Sequence, residues 1–335
     1  MPTTSIGDRA LHFTSMRHTT QIKTRLGILT DEMSSGVAHD LTAHLRGDSA
    51  RLADTDRRLA LIDGFGGTAQ ETGQLLSGMQ TVLQGIESTR ALLSDQLVNL
   101  HNSETPAQIS SAITAGRAAF DRITAALNTN FGNHSLFAGT ATTTAPLADP
   151  AAMMASLTTA VAGSANVADL QTAINTWFDS PTGGFATMGY LGDTGAALVR
   201  RIDTGTTVGL AARADDPALR SLLKAAATAA LAGDSGLGFS DLQKSSLLRD
   251  AGLQLMSAAQ PLTEVQARLG LAEQLVEETT VRHSAQKTAY GLLRNDMVAA
   301  DPYRTAAELQ QVQLQLETHY TLTARLSRLS LVEYI

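Results

Sequence analysis

Residues 75–100 read LLSGMQTVLQGIESTRALLSDQLVNL. Within them Leu75, Met79, Val82, Ile86, Leu93, Leu97 and Leu100 follow at steps of 4, 3, 4, 7, 4 and 3. Such steps keep side chains on one face of an α-helix. Residues 262–297 carry an answering stripe: Leu262, Val265, Leu269, Ala272, Val276, Tyr290, Leu293 and Met297. Two seams far apart in sequence mark long helices packed side by side. A chain built this way folds back on itself, so its first and last segments meet. The expected fold is mainly α: a long antiparallel helical bundle or coiled coil formed by N- and C-terminal segments, with a smaller mixed α/β middle domain. This suits a rod or polymer subunit better than a pocket-bearing enzyme.

The composition agrees. The 335 residues are 43% hydrophobic but only 4% aromatic, with the single tryptophan at Trp177. A core must therefore come from Ala, Leu, Val and Ile, which suits close helix packing. The net charge of −7 and scattered basic residues argue against nucleic-acid binding, which shows a clustered basic face. Arg57-Arg58 and Arg200-Arg201 stand beside Asp56 and Asp203 and read as solvated surface. There is no cysteine, which removes disulfides, thiolate metal sites and cysteine nucleophiles together. Met1 to Thr20 lacks the apolar run of a signal peptide, and no stretch of 18 apolar residues exists to span a membrane. The expectation is a protein that stays in the cytosol or leaves by a route that ignores signal peptides.

Local signals divide the chain into 1–47, 48–138, 139–240, 241–299 and 300–335. A helix is expected over 9–33, stopped by Ser34-Ser35-Gly36. A polar connector follows over 37–47, then a helix from Asp48 or Ser49. Gly64, Gly66 and Gly67 read as a bend. Thr105-Pro106 opens a helix to about Leu127, and His134–Ala138 reads as a short strand. Short helices are expected over 151–162 and 167–178, a hairpin over 198–208 and a helix over about 217–232. A helix from Asp241 to about residue 299 carries Pro261 as a kink, and Asp301-Pro302 starts the last one.

Chemistry-bearing constellations are scarce. Gly64-Phe65-Gly66-Gly67 is not a dinucleotide fingerprint and follows no strand. His39, Asp40 and His44 have no further ligand close in sequence to complete a metal site. His283 reads as a packed, hydrogen-bonded seam residue and Tyr290 as seam packing. Glu277 and Glu278 are helix neighbours that point apart. No catalytic residue, cofactor or metal is expected. The ends, 1–33 and 303–335, carry few large apolar side chains against the entropy of ordering so many residues, so they order well only with neighbours. The candidate subunit-interface residues are Ile22, Leu26, Leu29, Met33, Leu309, Val312, Leu316, Leu322, Leu326, Leu329, Leu331, Tyr334 and Ile335.

Several short stretches resemble the bacterial flagellin family. Leu29-Thr30-Asp31-Glu32-Met33-Ser34-Ser35-Gly36 is similar to a segment near the start of flagellins. Asn133-His134-Ser135-Leu136-Phe137-Ala138-Gly139-Thr140 resembles the turn after their second helix, followed by Thr144-Ala145-Pro146 as in hook-associated relatives. Tyr190-Leu191-Gly192-Asp193 and then Ile202 to Val208 resemble a hairpin of that subfamily, and Leu326 to Ile335 resembles its ending. His39-Asp40-Leu41-Thr42-Ala43-His44-Leu45 departs from the family's usual first loop. The resemblance implies a structural subunit of the bacterial flagellum, secreted by type III export without a cleaved signal and forming the junction between hook and filament. Its implied partners are further copies of itself in a ring, the hook protein or a hook-proximal junction protein, flagellin and an export chaperone, with no nucleic acid and no membrane. A filament flagellin is the alternative within the family; a cytosolic helical adaptor is the alternative outside it.

Overall fold

The computed structural model describes residues 6–100 and 105–332, without the side chains of residues 6–9, 11, 235 and 326–332. The fold is mainly α, and the chain forms two compact units: Met1–Asp63 with Ser284–Ile335, and Gly64–His283.

The first unit contains α1 (Ile6–Ser35), α2 (Leu41–Leu45), the start of α3 (Ser49–Val98), the end of α9 (Ala259–Val298) and α10 (Pro302–Val332). Gly36 stops α1 as expected: it takes φ +71°, and its N–H donates to the Glu32 carbonyl at 2.9 Å. Next the chain exchanges two backbone hydrogen bonds with the segment before α10. Ala38 N–H donates to the Val298 carbonyl and Ala300 N–H to the Gly36 carbonyl, both at 2.9 Å. The expected connector over 37–47 is not all irregular. The Asp40 carboxylate accepts from Ala43 N–H at 3.0 Å and caps the short α2, which an N-cap acid favours. Asp301 starts α10 the same way, accepting from the N–H groups of Tyr303 and Arg304. α3 and α9 run antiparallel here, joined by Asp56–Arg294 and Asp63–Lys287 at 2.7 Å each. Tyr290 lies beneath the Arg58 guanidinium, 5.8 Å from its ring centre.

The second unit holds the rest of α3 and α9, together with α4 (Pro106–Leu127), α5 (Pro150–Val161), α6 (Val167–Asp179), α7 (Pro217–Leu231) and α8 (Asp241–Ser257). Two antiparallel hairpins accompany them: β1 (Asn130–Phe131) with β2 (His134–Ser135), and β3 (Leu198–Asp203) with β4 (Thr206–Leu210). The strand expected over 134–138 thus shrinks to two residues. Its continuation turns away at Gly139, which has φ +66°.

The α3 seam and the 262–276 part of the α9 seam lie in the core, whereas Tyr290, Leu293 and Met297, in the first unit, are half-buried. Leu75, Met79, Ile86, Leu93 and Leu97 are buried, as are Leu262, Val265, Leu269 and Val276. Leu76 and Leu83 are fully buried beside them, so α3 packs on more than one neighbour. The helix α7 is buried on nearly every side, with Leu219, Leu222, Leu223 and Ala225 to Ala227 inaccessible; an all-round apolar helix belongs inside. Small residues let it approach α4: a Cβ on Gly116 would sit 2.6 Å from the Ala229 Cβ. Trp177 anchors the other side. Its indole N–H donates to the Ser156 hydroxyl at 3.0 Å, and Phe178 meets it edge-on at 4.7 Å. The backbone passes so near the indole that a Cβ on Gly184 would lie 1.8 Å from Nε1.

Three expectations change. Gly64, Gly66 and Gly67 do not interrupt α3, which is continuous from Ser49 to Val98. A helix-interior glycine costs only about 1 kcal/mol, and apolar burial farther along α3 outweighs that. The helix expected from Asp241 to residue 299 is two helices, parted at Ala258. Pro261 has no N–H, and its ring would strike the carbonyl four residues back, so the break falls just before it. Arg200 is not solvated surface: its side chain is only 24% exposed and pairs with Glu71 at 3.1 Å. Arg57 and Arg58 do lie on the solvated surface, 73% and 51% exposed, where both pair with Asp54.

Candidate assembly surface

In the first unit α1 and α10 pack antiparallel. Ile22, Leu29 and Val312 are the buried apolar side chains of this seam among the described residues, with Leu26, Leu309 and Leu316 packed against them half-buried, and Thr305 of α10 is buried as well. Polar contacts fix the register. The Arg25 guanidinium donates to the Glu308 carboxylate at 2.5 Å. Nearer the start of α1, the His18 and His319 rings lie 5.8 Å apart, and the Ser15 hydroxyl is 3.3 Å from His319 Nε2. Lys23 stands 5.9 Å over the Tyr320 ring.

The candidate interface residues therefore divide. Ile22, Leu26, Leu29, Leu309, Val312 and Leu316 come together within the chain. Met33 and Leu322 face outward, 48% and 53% exposed. Leu326, Leu329 and Leu331 lie on α10 with side chains outside the described residues; Tyr334 and Ile335 are outside them altogether. Sequence reasoning passed over a second outward set, Phe13, Met16, Tyr303, Leu314 and Tyr320, all largely exposed. Phe13 and Met16 at i and i+3 were the available signal: two large apolar side chains on one helical face.

A groove of about 760 Å³ runs along α3 in the second unit. Gly66, Ala69 and Gly73 form its floor, Val276 and Phe131 flank it, and Glu277 stands at its edge. Phe131, at the first hairpin, is 44% exposed.

Two stretches quoted separately in the sequence meet in this unit. Asp193 N–H donates to the Ala138 carbonyl at 2.9 Å, and the Thr140 hydroxyl donates to the Asp193 carboxylate. That hydroxyl, followed by the Gly195 N–H, holds the Asp193 carboxyl below its ordinary range. The Tyr190 hydroxyl donates to the Asp193 carbonyl at 2.9 Å. Burial pushes the Tyr190 phenol up to about 12, with Asp215 nearby adding to the shift.

His283 is buried, with Nε2 3.4 Å from the Asp203 carboxylate and its ring stacked at 6.5 Å on Phe65. The hydrogen bond expected of it is not formed among the described residues. Burial pushes the Asp203 carboxyl up, but the Thr204 N–H, Arg282 and His283 outweigh this and hold it low. Asp40 serves as a helix cap, and no three His, Asp or Glu among the described residues are grouped to hold a metal ion. No described helix is long and apolar enough to cross a membrane.

The terminal segments pair as long helices and present large apolar side chains outward. Residues 253–335 match the family model of the bacterial flagellin C-terminal helical region. At the level of sequence, no curated protein matches the chain. Its fold is similar to that of a Vibrio parahaemolyticus protein provisionally described as a flagellar hook-associated protein. That likeness has a TM-score of 0.50 at 15% identity and covers 74% of this chain and 96% of the other. The family match thus covers the C-terminal helical part of the chain, and the structural likeness shows the fold.

Proposed function

We propose that this chain is the subunit that joins hook to filament in a bacterial flagellum. It is exported by the flagellar type III apparatus and assembles into a ring. Its lower neighbour is the hook protein or a hook-proximal junction protein, its upper neighbour is flagellin, and a chaperone accompanies it before export. The reading carries no catalytic role. The observation that carries it is the terminal helix pair: its thin seam is satisfied within the chain, while Phe13, Met16, Leu314 and Leu322 stand exposed on the outside. Exposed apolar side chains gathered on one pair of helices mark an interaction surface. The hook-associated description of the structural neighbour favours a junction over a filament subunit. The two differ in self-matching: a filament subunit accepts copies of itself along the axis indefinitely, whereas a junction subunit meets a different protein above and below.

Immunogold labelling of isolated flagella tests this. Label confined to the hook tip supports the junction, and label along the whole filament replaces it with the filament reading. The purified protein is also expected not to grow long regular filaments when concentrated. Cells lacking it should carry hooks but shed flagellin into the medium.

A further inference from the structure

Where the two hairpins meet α3, a cavity of about 20 Å³ is enclosed in the second unit. Its walls are mostly apolar: Leu75 and Met79 from α3, Leu198 from β3 and Leu210 from β4. Four polar side chains interrupt them: His134 and Ser135 of β2, Thr142, and Arg200 of β3. Arg200 Nε and His134 Nδ1 are both buried atoms without a hydrogen-bond partner among the described residues. A buried polar atom left unpaired is costly, so two of them on residues lining one cavity call for an explanation.

We propose that this cavity is a binding site for one ordered water molecule, which bridges Arg200 Nε to His134 Nδ1 and so ties the β3–β4 hairpin to the β1–β2 turn. The size fits: a single water needs roughly 10–15 Å³ of room, and purely apolar cavities stay dry whereas polar ones fill. The hydrogen bonding fits too. The Nε–H of arginine can only donate, so the ligand must offer a lone pair. The imidazole Nδ1 accepts in one tautomer and donates in the other, and water serves either. Charge separates water from a small anion such as a halide. The Arg200 guanidinium is already neutralised by Glu71, to which its Nη2 donates at 3.1 Å. A second negative charge would be buried without its own counterion, which is costly. The site thereby gives a role to Arg200, whose Nε is turned away from both solvent and Glu71.

A high-resolution crystal structure of the full chain, with a parallel bromide soak, tests the assignment. The expected result is one peak within hydrogen-bond reach of both nitrogens, with no anomalous bromide signal there. In solution, the Arg200 Nε–H should show a magnetisation-transfer signal from a long-lived water, and His134→Phe, which keeps a flat ring and removes the nitrogen, should abolish it. A bromide peak would replace water with an anion and overturn the proposal. So would an empty cavity in well-ordered density, a His134 ring turned so that Nδ1 bonds a protein atom, or a water signal that survives His134→Phe.

Discussion

The two units of this chain solve the same packing problem with very different amounts of buried surface. In the second, Phe120, Phe137, Phe178, Phe185, Leu76, Met79 and Leu83 are all essentially inaccessible, and α7 is enclosed on nearly every side. In the first, the α1–α10 seam rests on Ile22, Leu29 and Val312, reinforced by an exposed ion pair and two ring contacts. Single exposed leucines such as Leu92 and Leu271 occur in the second unit as well, as on most protein surfaces. What differs is the balance. Among the described residues around the α1–α10 seam, the large apolar side chains outside outnumber the buried ones inside. The contrast teaches that helical periodicity alone does not reveal whether a helix is finished by its own chain or by a neighbour. On the proposed reading the second unit is self-sufficient, whereas the terminal pair is a template that assembly would complete.

Substitutions can break this contrast or sharpen it. The largest effect belongs in the dense unit. Phe120→Ala should cost about 3–5 kcal/mol of global stability, the usual toll of emptying an aromatic site in a close-packed core. Denaturant unfolding measures it, and a loss below 1 kcal/mol would mean the core is looser than described.

Leu29→Ala, at the tightest point of the seam, should cost about 2–3 kcal/mol, the low end of the range because an open seam collapses easily. Its signature is local. Amide exchange should quicken in α1 and α10 and stay unchanged in the second unit. Equal quickening in both would show that the terminal pair is an integral part of one cooperative fold.

Tyr190 adds a pH dependence confined to the second unit. Its phenol is raised to about 12 from the ordinary 10.0, chiefly by burial. The folded state therefore holds the proton to higher pH than the unfolded chain. The stability this contributes is complete below pH 10 and is lost as pH rises towards 12. Tyr190→Phe should lower stability by about 1 kcal/mol at neutral pH through the lost hydrogen bond, yet flatten the alkaline decline. Alkaline unfolding curves of the two forms that stay parallel would contradict the assignment.

The smallest effect is expected at Arg25. Its pair with Glu308 is short but exposed, 54% and 38% for the two side chains; surface pairs of this kind contribute roughly 0–1 kcal/mol. Arg25→Ala should leave the monomer's unfolding almost unmoved. A loss above 2 kcal/mol would mean that the seam is held by charge rather than by Ile22, Leu29 and Val312.

Much of this was legible in the sequence because helices announce themselves by period and caps. Thr105-Pro106, Asp216-Pro217 and Asp301-Pro302 all open helices where expected, and the hairpin around Gly205 forms. Of the terminal stripe, Leu309, Val312 and Leu316 meet α1, but the sequence could not tell which stripe residues face the chain's own partner helix. Period assigns a face and is silent on what covers it. Long-range contacts were equally hidden. Nothing near Arg200 in sequence points to Glu71, and nothing in Asn133–Thr140 points to Asp193. The glycines of α3 misled because a local propensity of about 1 kcal/mol was weighed without the core that overrides it.

The central claim is that the terminal helices are completed by assembly and the second unit is not. Hydrogen exchange read by mass spectrometry, on the purified monomer and on isolated flagella containing it, tests this most directly. The expected result is fast exchange in α1 and α10 of the monomer, strong protection of both after assembly, and a second unit protected equally in the two states. Terminal helices as well protected as α7 in a monodisperse monomer, or still exchanging fast in the flagellum, would contradict it.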